Sequence, residues 1–148
     1  MGRGDNLVLE QQLCIALNQA ARAINGCYRP LLAEIGLTYS QYTVLLLLWE
    51  HDVCTSRELS DALHLDSGTL SPLLQRMDDD GLIERERAAE DERLLRITLT
   101  PAGRALEGRA MEIQSQVEDR IGLAADDVVD LRRRLDRLTD HLLGVDGA

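Results

Sequence analysis

Three cysteines, Cys14, Cys27 and Cys54, are the residues of this 148-residue chain with the most chemistry to offer. A thiolate is a nucleophile and a metal ligand, whereas a cysteine buried among apolar groups is inert. The count is odd and no pair has CxxC spacing, which points away from a secreted disulfide scaffold and toward a reducing cytoplasm. His51 and Cys54 have His-x-x-Cys spacing, but two ligands do not close a zinc site. No metal and no cofactor are therefore expected. Neither a glycine-rich cofactor loop nor an acid–base pair stands out, so an enzyme is not expected either. On pattern alone a lone cysteine such as Cys14 is more often a small core residue than a reactive one. Tyr28 and Tyr39 read as ordinary half-buried tyrosines.

Charge narrows the partners. Sixteen basic residues, all arginine, face 26 acidic ones, for a formal net charge of −10. Such a chain is a poor non-specific ligand for nucleic acid, since phosphate affinity is mostly electrostatic. DNA binding must then come from a local site. Tyr28, Tyr39, Tyr42 and Trp49 are too few for a single-strand stacking platform. The longest apolar run, 44–49, is far short of the roughly 20 residues of a membrane span. Residues 1–12 carry Arg3, Asp5 and Glu10 and no secretory core. The expected location is cytoplasmic, with no membrane partner.

The elements that would position these residues are mostly helical. Leu7, Glu10, Cys14, Leu17, Ala21 and Ile24 step by three and four, which predicts a first helix with Cys14 on its inward stripe. Pro30 suits the first turn of a short second helix, 30–34, ended by Gly36. Thr38 with Gln41 is a capping-box pattern before the apolar run of 42–50, and Thr55 with Glu58 repeats it. A break at 64–66 leads to a helix through Met77. The period then switches to two: 82–85 and 95–99 predict a β-hairpin around the polar loop 88–93, with Gly81 ending the preceding helix. Thr100-Pro101 is an N-cap and first-turn proline for a helix carrying Leu106, Ala110, Ile113, Val117 and Ile121. Val128, Leu131, Leu135, Leu138 and Leu142 form a narrow heptad seam on a last helix, with Asp126 and Asp127 in its first turn. The predicted fold class is mainly α with a small β-hairpin, a winged helix-turn-helix. Long striped helices at both ends ask for a second copy. The expected single domain, 1–148, has dimerisation helices at 7–36 and 101–144 and a reader at 38–99.

The stretch from Asp91 to Arg104 (DERLLRITLTPAGR) resembles the wing and following helix start of the MarR family of bacterial regulators. Leu13-Cys14, 28–32 (YRPLL), 36–42 (GLTYSQY), 48–52 (LWEHD) and 65–74 (LDSGTLSPLL) resemble its thiol-based, organic-hydroperoxide-resistance branch. The resemblance covers nearly the whole chain. It implies a homodimeric repressor that puts a recognition helix in the major groove and a wing arginine in the minor groove. It implies Cys14 as the sensor, with Tyr28 and Tyr39 as its hydrogen-bonding partners from the other subunit. Burial disfavours a thiolate, and two phenol hydroxyls donating to sulfur stabilise it without adding charge. An apolar surround favours an alkyl or aryl hydroperoxide as effector. The first product is a sulfenic acid, which condenses with a second thiol. Some members supply that thiol from their C-terminal helices, but this chain has no cysteine after Cys54. A low-molecular-weight thiol is the favoured partner and Cys27 the other. Some relatives have a further tyrosine one turn after the sensor, where this chain has Asn18.

On the DNA side, Ser67, Thr69, Ser71, Gln75 and Arg76 suit a recognition helix reading an inverted-repeat operator in double-stranded DNA. Arg93 suits a narrow minor groove, oriented by Asp91. From 55 to 103 there are six arginines against eleven acids. Binding must then lean on a few arginine contacts and be unusually salt-sensitive. Pro72 sits awkwardly inside a helix. The resemblance and the cap Asp66 start that helix near Ser67, with a distorted first turn expected. The alternative to a peroxide sensor is a repressor released by a small phenolic ligand.

Overall fold

The computed structural model describes residues 7–88 and 91–144, without the side chains of 88 and 91–93. The chain divides into two compact units, residues 1–117 and 118–148. A single 3-10 turn, Leu9–Gln11, precedes helix α1, Leu13–Ala33. Then follow α2 (Tyr39–His51), β1 (Val53–Thr55), α3 (Ser56–Leu63), α4 (Ser67–Asp79), β2 (Ile83–Ala88), β3 (Asp91–Leu99), α5 (Pro101–Ala105), α6 (Glu107–Ile121) and α7 (Ala125–Leu143). Among the described residues no helix is long and apolar enough to cross a membrane.

The structure is mainly helical with a small antiparallel sheet, as expected, but the sheet has a third strand. Its order is β1-β3-β2, with Cys54 opposite Ile97 and Ile83 opposite Leu99. Three residues, Val53–Thr55, are too short for period-two alternation to be legible, and their strand exists because β3 offers an edge. Capping chemistry sets most helix starts. Thr38 and Gln41 form a complete capping box on α2. The Thr55 hydroxyl takes the Glu58 N–H at 3.1 Å. The Thr100 hydroxyl takes the Gly103 N–H at 3.1 Å, with Pro101 at the first helical position.

Three expectations are corrected. The predicted second helix at 30–34 does not exist separately, because α1 runs unbroken through Pro30. Leu32, fully buried, with Tyr28 and Leu31 packed on the core, holds the last turns helical despite the lost proline N–H. The helix opened by Thr100 is two, α5 and α6, broken at Leu106. The first turn of α4 is regular: Leu70 N–H bonds the Asp66 carbonyl at 2.9 Å and helix continues past Pro72 to Asp79.

The core of the first unit is Leu32, Leu45, Leu48, Leu59, Leu74, Met77, Ile83, Ile97 and Ile113, all fully buried. Each such side chain stabilises the fold by roughly 1.5–3 kcal/mol relative to exposure. Helix α2 is buried on most of its surface, so its sequence is apolar without a clear stripe. No residue of helix α7 is fully buried. Val128, Val129, Leu131, Leu135 and Leu142 are exposed, while Arg132–Asp136 and Arg134–Asp130 pair at i,i+4.

Candidate nucleic-acid interface and thiol site

Helix α3, a three-residue turn and helix α4 form the helix-turn-helix. His64 ends α3 in the left-handed region (φ 53°), and the Ser60 hydroxyl donates to the Leu65 carbonyl across the turn. Asp66 caps α4, its carboxylate accepting the Thr69 N–H at 2.7 Å. That bond holds the Asp66 carboxyl below its usual range and starts the helix at Ser67. Leu70, Leu74 and Met77 then face the core. Ser67, Thr69, Ser71, Gln75 and Arg76 are consequently all exposed, on the outer side of one helix. Short hydroxyls, an amide and a guanidinium at helical spacing suit base edges and phosphates.

Gln75 is engaged on both sides. Its amide nitrogen donates to Asp79 at 3.1 Å and its oxygen accepts from Arg85 at 2.8 Å, while Arg85 also bonds Asp78 at 2.9 Å. Sequence reasoning missed Arg85, which ties the root of β2 to the recognition helix. Its signal was positional: an arginine on a strand seven residues after Asp78. The wing is β2 and β3. Midway along β3 it is anchored to α3, where the Ser56 hydroxyl accepts the Leu95 N–H at 3.3 Å. Asp91 and Arg93 lie on β3, and their side chains are outside the described residues.

Cys14 is exposed near the start of α1, contrary to its expected place on an inward stripe. Leu7, Leu9, Leu13 and Ile24 are exposed as well. Of the predicted stripe only Leu17 is half-buried, so among the described residues it lies largely open. Fourteen residues separate Cys14 and Tyr28, about 21 Å along the axis at 1.5 Å per residue, so the two cannot touch within one chain. Fourteen residues are also about four turns, so both lie near one face of α1.

Tyr28 and Tyr39 do come together, with ring centroids 5.7 Å apart. Tyr42 joins them, 5.2 Å from Tyr28 and 6.1 Å from Tyr39, and Trp49 lies 6.2 Å beyond Tyr42. Tyr42 was read only as part of a buried helix, yet it completes the cluster. Cys27 is half-buried beside Tyr28. Cys54 is buried under the sheet, and burial pushes its thiol up to about 12. Burial thus favours the neutral thiol at Cys54. Labelling of the native protein with a thiol reagent at pH 8 is expected to modify Cys14 readily and leave Cys54 untouched until denaturant is added. Equal rates at the two would contradict the burial.

The comparisons agree with this geometry. Residues 27–107 match the family model described as transcriptional regulator SarA/Rot. The chain is 43% identical to the organic hydroperoxide resistance transcriptional regulator of Bacillus subtilis, over 87% of this chain and 86% of that protein. It is similar to the structure of reduced AbfR bound to DNA, AbfR being a Staphylococcus epidermidis protein, with TM-score 0.77, 35% identity and coverage of 91% and 94%. The disulfide form of AbfR matches with TM-score 0.67 and 34% identity over 88% and 92%. The fold and site define a winged helix-turn-helix transcriptional regulator that binds DNA. The chain belongs to the MarR family of such regulators, in its organic-hydroperoxide-resistance branch.

Proposed function

We propose that this chain is a homodimeric repressor that holds an inverted-repeat operator while Cys14 is reduced and releases it when an organic hydroperoxide oxidises Cys14. The observation that supports this reading is an exposed Cys14 about four turns along α1 from Tyr28, which packs with Tyr39 and Tyr42 of α2. Two copies of α1 crossing antiparallel near residue 21 bring Cys14 of each against Tyr28 of the other. Tyr39 and Tyr28 then donate to the sulfur and stabilise its anion. The exposed apolar residues of 7–36 and of 101–144 supply the dimer interface, leaving 38–99 as the reader.

The Cys14 thiolate attacks the peroxide oxygen distal to the organic group. An S–O bond forms, the O–O bond breaks, and the organic group leaves as an alkoxide that takes a proton to give an alcohol. Cysteine is oxidised to sulfenic acid and the peroxide is reduced. A low-molecular-weight thiol then displaces water to give a mixed disulfide. Loss of the sulfur–phenol bonds repacks the interface and alters the spacing of the two recognition helices, which must match successive major grooves.

At the DNA, Ser67, Thr69, Ser71 and Arg76 of α4 contact the major groove. Gln75 does so only by giving up its bonds to Asp79 and Arg85. Arg93, oriented by Asp91, enters the minor groove. Because the reader nets negative, a few arginines carry the phosphate contacts. The operator dissociation constant is expected to rise at least about a hundredfold between 50 and 200 mM salt, and Arg76→Ala to lower the slope by about one. A flat salt dependence would rule this out. The sensing reading itself is tested by operator binding of the reduced and peroxide-treated protein with Cys14→Ser alongside.

A further inference from the structure

We propose that Trp49, with Tyr42 packed behind it, is the positioning residue that ties the packing of the tyrosine cluster to the placement of the wing. The inference rests on the sensing role of the cluster proposed above. Tyr42 is buried, in ring contact with Tyr28 and Tyr39 on one side and with Trp49 on the other. A close-packed interior has no slack, so a shift of Tyr28 or Tyr39 is passed to Tyr42 and from it to the indole.

The indole is bonded to the root of the wing. Its Nε1–H donates to the Gly103 carbonyl at 3.0 Å. The Trp49 carbonyl accepts from Arg104 Nη1 at 3.1 Å, and Arg104 also pairs with Asp52 and Glu107. Trp49 therefore grips two consecutive residues of α5, the helix that begins two residues after β3. Gly103 in turn has no room to move alone. A Cβ placed on it would lie 2.4 Å from the Leu82 carbonyl oxygen and 2.6 Å from Leu99 Cδ1. Leu99 is paired with Ile83 across the hairpin, and Thr100 N–H donates to the Leu82 carbonyl at 3.2 Å. The Leu99 N–H donates to the Asp52 carbonyl at 2.9 Å, so the end of α2 and the base of β3 are also joined directly. Displacing the indole thus loads both strands of the wing at their base.

Trp49 is the one tryptophan of the chain, so its emission reports on this link without a label. In the full-length wild type, emission is expected to shift when one equivalent of cumene hydroperoxide is added, and not to shift in Cys14→Ser. Trp49→Phe keeps a ring but loses the N–H. It is expected to form sulfenic acid at the wild-type rate, by dimedone trapping, and to bind the operator within about threefold of wild type when reduced. Its ratio of oxidised to reduced dissociation constants is expected to fall at least tenfold below the wild-type ratio. An unchanged ratio, or an unmoved wild-type emission despite release of DNA, would overturn the proposal. Should Trp49→Phe fail to fold by circular dichroism, Trp49→Tyr, which also lacks the indole N–H, is read the same way.

If the wild type keeps its operator after oxidation, the sensing reading fails on its own. The link is then decided by a double-mutant cycle of Tyr28→Leu and Trp49→Phe on reduced operator affinity. Departure from additivity by threefold or more supports it, and additivity overturns it.

Discussion

Cys14→Ser is expected to bind its operator like the wild type and to keep it after peroxide treatment. The wild type is expected to lose at least about a hundredfold in affinity with one equivalent of cumene hydroperoxide, about 2.7 kcal/mol. The contrast is large because the serine oxygen cannot be oxidised. It is also clean, because Cys14 is exposed within its own chain and the replacement leaves no cavity in the core. Anisotropy of a labelled duplex reads both states. Release of the mutant by an added effector would instead favour the small phenolic ligand. A wild type that keeps its operator after oxidation would leave Cys14 with no sensing role.

Gly103→Ala is expected to destabilise the fold by about 1–3 kcal/mol, the usual range for overpacking a tight site. Intrinsic preference runs the other way, since alanine is better than glycine in a helix by about 1 kcal/mol. Sterics wins because the nearest obstacle is the Leu82 backbone oxygen, which is bonded to Thr100 and cannot step aside as a flexible side chain does. Gly108→Ala is the control. Nothing lies within 4 Å of its added Cβ, so it is expected to be neutral or to stabilise by up to about 1 kcal/mol. Urea unfolding of the two variants measures the difference. Equal stabilities would show that the wing root yields more easily than its packing implies.

Much of this molecule was legible along the chain, for local reasons. Thr38, Thr55 and Thr100 cap helices through bonds to residues three places on, so local chemistry alone placed three helix starts, while Asp66 needed the family resemblance beside it. The switch from helical period to period two marked the wing. The types and positions of Cys14, Tyr28 and Tyr39, with the wing stretch, carried the family resemblance.

Tertiary structure decided what local rules could not. Pro30 and Pro72 both argue for a helix start on their own, and both lie inside helices because Leu32, Leu70, Leu74 and Met77 gain more from burial than one missing N–H bond costs. Strand β1 depends on an edge supplied more than forty residues later. Tyr42, Trp49 and Gly103 become one unit only when α2 meets α5, across more than fifty residues. Cys14 shows the division most plainly. Its periodicity predicted an inward place, but a period alone does not say whether another element arrives to cover the stripe. Only the folded chain shows Cys14 exposed, with Tyr28 about 21 Å farther along α1 and Tyr39 on α2.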